Sequence, residues 1–550
     1  MQTLEPPKRR FFTPRKMLGK RSLFWVSLLS MILVPALACN LPERNAGSLS
    51  FSTDQPQVSQ TAPLFPTDNQ GIQAEATMQS TQGNAIPGKV ANPFFGLQTA
   101  TPGAGSPEDW DTPEPGVTFP PFEYWTQPGD TAIALAGRFG VLPHQINPPQ
   151  PLDTLLAPGQ KMIIPNVLGK IADYSAILPD SAVIFSPLAK DFMVRDYVSQ
   201  SGGFLSTYRE EVEPGEWQSG AEIVERVAGE SSINPQLLLA FLQFRSGWVL
   251  GQPSDPDLVV YPIGFYVPDY HGLYMELSLT AKELNIGYYG WRAGTFTELS
   301  FPDSSRMRLH PGLNPGSVAL ENLLSKFYIK RQDWLEAINS AHGLPAQYQA
   351  MFGDPWQAAA KVEPLFPANL QQPALELPFS PGEPWSLTSG PHIAWRTGTP
   401  RGALDFAPIT GEPPCVVSST WVTASAPGLI VRAERGNVVI DLDGDGLEQT
   451  GWVLVYMHIA EKDRITPGSW VETDSPLGHP SCEGGQATGT HVHLARKYNG
   501  EWLVADGPIP MVLSGWVAHA GELSYEGTLT KDGQTVSARP GGTAGSTIVR

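Results

Sequence analysis

Gly489-Thr490-His491-Val492-His493-Leu494 is the stretch on which the reading of this chain turns. In a β-strand, residues two apart face the same side. His491 and His493 therefore project together, while Val492 and Leu494 turn to the opposite face. Two imidazoles on one face can serve one metal, or one can bind while the other moves protons. Upstream lie three further pieces. Ser389-Gly390-Pro391-His392 is followed, thirteen residues after the histidine, by Asp405 within Ala403-Leu404-Asp405-Phe406-Ala407. Val453-Leu454-Val455-Tyr456-Met457-His458 reads as a strand ending in histidine. His479-Pro480-Ser481-Cys482-Glu483-Gly484-Gly485 leads into the His-Val-His strand. Five of the ten histidines fall between His392 and His493, which makes a shared metal-binding role a better explanation than scattered core filling.

In this order the four motifs resemble the lysostaphin and staphylolysin type of zinc endopeptidase, which cuts peptide cross-bridges in peptidoglycan. The resemblance covers about residues 385–515 and implies an all-β, antiparallel-sheet metallopeptidase domain over 380–520. It carries the family's zinc ligands onto His392, Asp405 and His493, and its two remaining histidines onto His458 and His491. Many members place the first ligand four residues before the aspartate, where this chain has Arg401; His392 fits the branch with the wider spacing. Two imidazoles and a carboxylate leave a tetrahedral Zn²⁺ one open position. Water held there becomes a usable nucleophile near neutral pH. The family implies that His458 and His491 take up the proton and stabilise the oxyanion. A non-catalytic binding or regulatory lipoprotein on the same fold is the alternative. Such relatives usually lose ligands, and with His392 as first ligand none is lost here.

At 550 residues the chain is too long for one core and predicts about three domains joined by linkers. Charged residues make up only 16%, whereas glycine and proline number 54 each, a balance that suits loop-rich β structure with extended connections. The net charge of −18 argues against nucleic acid as a partner, since that affinity comes largely from Lys and Arg on phosphates. The N-terminus is the basic exception: Lys8, Arg9, Arg10, Arg15, Lys16, Lys20 and Arg21 precede an apolar run over 23–38. That run is shorter than the roughly 20 residues of a spanning helix and reads as an export signal. Val34-Pro35-Ala36-Leu37-Ala38-Cys39 resembles a bacterial lipobox, although Ala36 stands where leucine is usual. It implies residues 1–39 as a signal peptide, Cys39 as the lipidation site, and an exported lipoprotein anchored to the membrane at the cell envelope. The two remaining cysteines, Cys415 and Cys482, are then expected to pair in an oxidising compartment.

Residues 40–119 are rich in Ser, Thr, Gln, Asn, Pro and Gly without apolar periodicity, and read as a disordered linker. A flexible chain of this length reaches about 50 Å, which suits work in a wall layer above a membrane. Residues 120–168 carry YWTQPGDT, FGV and LAPGQKMIIP in a strand, helix, helix, strand order. This resembles a LysM domain, a small βααβ module that binds N-acetylglucosamine-containing glycans. Residues 170–375 show helical spacing at 221–227, 235–244, 318–328 and 334–339, and read as a mainly helical domain. Within it, Ser232-Ile233-Asn234-Pro235-Gln236-Leu237-Leu238-Leu239-Ala240 resembles the helix that opens lysozyme-like lytic transglycosylases. That family has a catalytic glutamate just before Ser-Gly; here Arg245 precedes Ser246-Gly247. A guanidinium is no general acid, so the reading is a degenerate, inactive domain, with Glu230 the nearest other carboxylate. Tyr288, Tyr289 and Trp291 offer either a sugar-stacking surface or core. Asp441-Leu442-Asp443-Gly444-Asp445-Gly446 mimics the start of an EF-hand loop, but Trp452 occupies the position of the bidentate glutamate. It reads as a turn between strands over 437–442 and 452–458. His479 is expected to be a hydrogen-bonded loop residue, and 521–550 a flexible tail.

Overall fold

The computed structural model describes residues 119–171, 174–339, 341–367 and 369–550; the signal segment, Cys39 and all but the last residue of the 40–119 linker lie outside them. The described chain begins with strand Phe122–Trp125, paired antiparallel with Lys161–Ile164. Helix Ala132–Phe139 lies between them. Thr131 caps its start by accepting from the Ala134 amide, and Gly140 ends it in the left-handed conformation. Leu135, Ala136 and Phe139 pack on Tyr124, Met162 and Ile164 as one small core. The second helix expected here is instead a single 3₁₀ turn, Pro143–Gln145. Pro148, Pro149 and Pro151 follow it, and proline has no N–H to carry a helix onward.

The middle region is mainly helical. Gly220–Ser231, Pro235–Ser246, Pro315–Ser325 and Arg331–Asn339 are helices where the spacing predicts them. Ser219 and Glu222 form a reciprocal capping box at the first of these. The longest helix, Leu273–Arg292, escapes the apolar-stripe reading because Glu276, Thr280 and Asn285 are buried alongside its leucines. Tyr288, Tyr289 and Trp291 sit on this helix inside the core, so they are not a sugar-stacking surface.

The C-terminal region is a nine-stranded antiparallel sheet. In spatial order its main path runs Trp470–Val471, Gly428–Glu434, Asn437–Asp441, Trp452–Met457, Val492–Tyr498, Arg401–Pro408, Trp385–Ile393 and Thr547–Ile548; Glu501–Trp502 pairs beside Val492–Tyr498. Strand Trp452–Met457 is apolar throughout because both its faces are covered. Val453, Val455 and Met457 join the core of the helical region. Leu454 and Tyr456 join a second core on the far side. That second core is closed by a four-stranded sheet, Val512–Leu513, Trp516–Ala520, Gly527–Lys531 and Gln534–Ser537. Residues 521–550 are therefore not a flexible tail. They supply two strands of this small sheet and, in Thr547–Ile548, an edge strand of the large one. Asp532 and Gly533, both at positive φ, make the tight two-residue turn that the Asp-Gly pair favours in hairpins. No helix among the described residues is long and apolar enough to cross a membrane.

One arginine ties the three regions together. Arg292, at the end of the long helix, donates to the Glu501 carboxylate through Nε at 2.9 Å and to Asp180 through Nη2 at 3.1 Å. Its Nη1 donates to the carbonyl of Pro128 in the small N-terminal module. Burial raises the Glu501 carboxyl, and Arg292 is the cation that opposes this. Removing one partner of a buried pair strands the other. Arg292→Met is thus expected to destabilise the chain by about 3–5 kcal/mol, read as a lowered midpoint of urea unfolding. An unchanged midpoint would show that the junction does not depend on this residue.

Candidate metal centre

The sheet brings the four motifs together. His493 lies opposite Asp405 on the neighbouring strand and opposite Met457 on the other side. His392 lies opposite Ala403, after register shifts between Leu387 and His392 that turn the strand locally. Nε2 of His392 stands 3.3 Å from Oδ1 of Asp405, and Nδ1 of His493 stands 3.2 Å from the same oxygen. The two nitrogens are 3.0 Å apart. Tetrahedral zinc, with bonds near 2.0–2.1 Å, spaces its ligand atoms by about 3.3 Å, so the three edges match a zinc triad. Oδ1 of Asp405 is buried with no hydrogen-bond donor satisfying it. The outer ring nitrogens are already committed. Nδ1 of His392 bonds the Gly390 carbonyl at 2.9 Å, and Nε2 of His493 bonds the Ala394 carbonyl at 3.0 Å. With the protons on those outer atoms, the inner nitrogens turn lone pairs toward Asp405. The donor set and its geometry fit zinc.

Burial alone would raise the Asp405 carboxyl, but the imidazoles of His392 and His491 outweigh it and hold the group well below the usual carboxylate range. Burial works against a charged His392, yet Asp405 beside it raises its pKa. His493 is lowered, chiefly by burial.

His458 and His491 stand outside the three-ligand group. His458 follows its strand at φ +65°, and its Nδ1 bonds the Glu483 carbonyl at 2.8 Å. Nδ1 of His491 bonds the Gly489 carbonyl at 2.7 Å. The two rings lie 4.4 Å apart, and Nε2 of His491 is 3.8 Å from Oδ2 of Asp405. Burial, reinforced by His491 and His493, pushes His458 down to about 3. It is neutral, with its Nε2 lone pair uncommitted to the backbone.

Cys415 and Cys482 are bonded to each other across 67 residues. Loop-closure entropy for that span gives about 4 kcal/mol of stabilisation. The bridge joins the loop after Asp405 to the loop before His491, where Thr490 also donates to the Val416 carbonyl at 2.8 Å. His479 is a loop residue, bonded through Nδ1 to the Thr420 carbonyl at 2.7 Å and packed on Trp421. The carboxylates of Asp441 and Asp445 accept from amides of their own turn, as a plain Asx turn requires. One neighbour of the site lies outside the sequence reading: the Tyr525 ring stacks on His392 at 4.7 Å. It belongs to the segment read as a tail, and the Asp532-Gly533 turn was the signal that this segment is ordered.

The middle region holds no arrangement for glycan cleavage at the expected positions. Nε of Arg245 donates to the Ile263 carbonyl at 2.8 Å, and its guanidinium packs on the Phe327 ring. Glu230 is fixed between Arg226 at 2.9 Å and Arg396 at 3.1 Å. Burial opposes its charge, but the two arginines prevail and lower its pKa, the opposite of what a proton donor needs.

A family profile described as "LasA, N-terminal domain" matches residues 176–368, the helical region. Protease LasA of Pseudomonas aeruginosa strain UCBPP-PA14 is 27% identical over 311 residues, covering 52% of this chain and 68% of that protein. Over these stretches the chain is similar to LasA-like metallopeptidases. Beta-lytic metalloendopeptidase of Achromobacter lyticus is 30% identical over 173 residues, 29% of this chain and 43% of that protein. Among solved structures, the M23 metalloprotease pseudoalterin is similar over 32% of this chain and 99% of its own, at 24% identity and a TM-score of 0.26. In this LasA-like chain the purified protein is expected to carry close to one zinc, and His493→Ala to lose it, because a site short of one of three ligands holds metal weakly. Full zinc in the variant, measured by elemental analysis, would remove His493 from the ligand set.

Proposed function

We propose that this protein is a zinc-dependent endopeptidase that cuts peptide cross-bridges of peptidoglycan, with His392, Asp405 and His493 as the metal ligands. The observation that carries the reading is the convergence of three buried donor atoms within 3.0–3.3 Å of one another, each imidazole oriented by a backbone carbonyl. When bound, zinc supplies a Lewis acid that makes water nucleophilic near neutral pH and polarises the scissile carbonyl.

The chain's own residues do the rest. His458 and His491 keep their Nδ1 protons on carbonyl oxygens, which leaves Nε2 of each as the working atom. Between them these atoms take the proton released as water attacks, steady the developing oxyanion, and return a proton to the departing amine. Burial of the cluster excludes bulk water and strengthens each of these interactions.

The segment over 120–168 is proposed to be a LysM module that holds the enzyme on N-acetylglucosamine-containing glycans. This rests on the YWTQPGDT and LAPGQKMIIP motifs. Cys39 is proposed as a lipid anchor to the membrane after export, on the lipobox-like motif and the basic N-terminus. The disulfide between Cys415 and Cys482 is consistent with an oxidising compartment outside the cytoplasm.

His458→Ala and His491→Ala are each expected to keep zinc while losing about 10²–10⁴-fold in cross-bridge cleavage. Loss of zinc together with activity would move that residue into the ligand set. On insoluble cell wall, the full chain should stay bound in the presence of chelator while cleaving nothing; release by chelator would refute glycan anchoring through 120–168. Cys39→Ser should shift the exported protein out of the detergent phase, and no shift would refute the lipid.

A further inference from the structure

Arg401 stands four residues before Asp405, where many lysostaphin-type enzymes place a ligand, and the structure gives it other work. We propose that Arg401 is a positioning residue for the metal centre, clamping the 521–526 loop across the ligand His392. The inference rests on the zinc reading above.

Arg401 opens the Asp405 strand, but its side chain runs sideways to three backbone carbonyls. Nε donates to Pro391, next to His392, at 3.0 Å. Nη1 and Nη2 each donate to Gly521 at 3.1 Å, and Nη2 also donates to Leu523 at 2.6 Å. One rigid fork thus joins the backbone beside the first ligand to the loop between strands Trp516–Ala520 and Gly527–Lys531. A planar guanidinium suits this, since its donors are fixed relative to one another.

The loop then returns to the metal centre. The Tyr525 carbonyl accepts from the Gly390 amide at 2.7 Å. The Gly390 carbonyl accepts from Nδ1 of His392 at 2.9 Å. The Tyr525 ring lies against His392, 4.7 Å between centroids and 23° from parallel. His392 is therefore oriented through its outer nitrogen and through one ring face, and both contacts trace to Gly390 and Tyr525. The approach is close enough that a Cβ on Gly390 would lie 2.5 Å from the Glu526 backbone. Tyr525 itself is held at φ +73°, a left-handed conformation that a tyrosine adopts only under constraint. The bonds from Arg401 supply that constraint two residues earlier.

Partners of this outer kind typically change metal affinity by 10–100-fold when removed. The test is a zinc dissociation constant from chelator competition, together with the visible spectrum of the Co²⁺-substituted full chain. Arg401→Ala is expected to weaken zinc about tenfold and to alter the Co²⁺ bands. Tyr525→Ala should do the same, and the double variant should be no worse than the weaker-binding single, because both act through one loop. A parent that binds no zinc refutes the proposed function. A parent that binds zinc, with Arg401→Ala matching its affinity and spectrum, refutes the clamp. So does a double variant whose losses multiply, which would place Arg401 and Tyr525 on independent routes. Should Arg401→Ala fail to fold, Arg401→Lys takes its place: lysine keeps the charge but cannot span the three carbonyls, and parental affinity and bands in that variant would overturn the proposal.

Discussion

Burying both faces of the C-terminal sheet is the constraint on which the rest of the structure depends. A strand covered on both sides has no water to satisfy charge, so every polar side chain within it must find a partner or cost several kcal/mol. Strand Val492–Tyr498 shows how this is met. Val492 and Leu494 point into one core and Ala495 into the other. Lys497, fully buried, pairs with Glu448 at 3.2 Å. Arg496, on the opposite face, gives its fork to the Val504 and Pro510 carbonyls at 3.0 Å each and to that of Ile509. His493 shares a face with Ala495 and Lys497, and its partner is Asp405. The His392, Asp405 and His493 group is the place on this strand where buried polar atoms converge so that one ion could partner them all.

This explains what could be read in advance. A histidine in a strand otherwise made of Val, Leu and Ala is conspicuous, and the Asp405 and His458 motifs stand out for the same reason. The alternation of His491, Val492, His493 and Leu494 placed both imidazoles on one side, and the sheet keeps them there. Two cysteines left over after Cys39 made a pair by counting alone. Helices Gly220–Ser231 and Pro235–Ser246 were legible because apolar residues at helical spacing are a local pattern. What stayed hidden depends on the environment. The long helix Leu273–Arg292 carries buried Glu276, whose carboxylate accepts from the amides of Ile263, Gly264 and Phe265. No single-sequence pattern marks a glutamate that will be satisfied by a loop 11 to 13 residues away. The C-terminal residues are a different case: the Asp532-Gly533 turn between Thr528-Leu529-Thr530 and Gln534-Thr535-Val536 is a local hairpin signal, and its strands are ordered by pairing with each other and, through Gly527–Lys531, with Trp516–Ala520.

The three regions meet through polar contacts that cross between them. Arg292 reaches Glu501 and Pro128; Arg396, two residues beyond Ala394, reaches Glu230 and the Tyr274 hydroxyl. Arg435 pairs with Glu216 on the hairpin of the helical region. Buried ion pairs add little net stability against apolar replacements, but misplacing one partner is expensive. They therefore favour one docking geometry over others of similar apolar area. The same logic assigns Glu230 its work. Set between two arginines, it is an inter-region strut, and the features that make it a good strut, burial with permanent cations on both sides, disqualify it as a proton donor.

The metal centre shows that logic at its sharpest. Asp405 is a buried carboxylate, held well below the usual range by the imidazoles of His392 and His491 against the effect of burial. A proton satisfies only one pair of atoms, whereas His392, Asp405 and His493 converge as a triangle with edges of 3.0–3.3 Å. A single ion held by these residues would be bonded by all three at once, which no hydrogen-bonding arrangement of two imidazoles and one carboxylate oxygen achieves. An ion there would need both inner nitrogens deprotonated, so metal affinity and protonation would be linked. The carbonyls of Gly390 and Ala394 fix which ring nitrogens face inward before any ion arrives. In that sense the backbone of strand Trp385–Ile393 and the loop that follows it prepares the site, and the side chains only finish it.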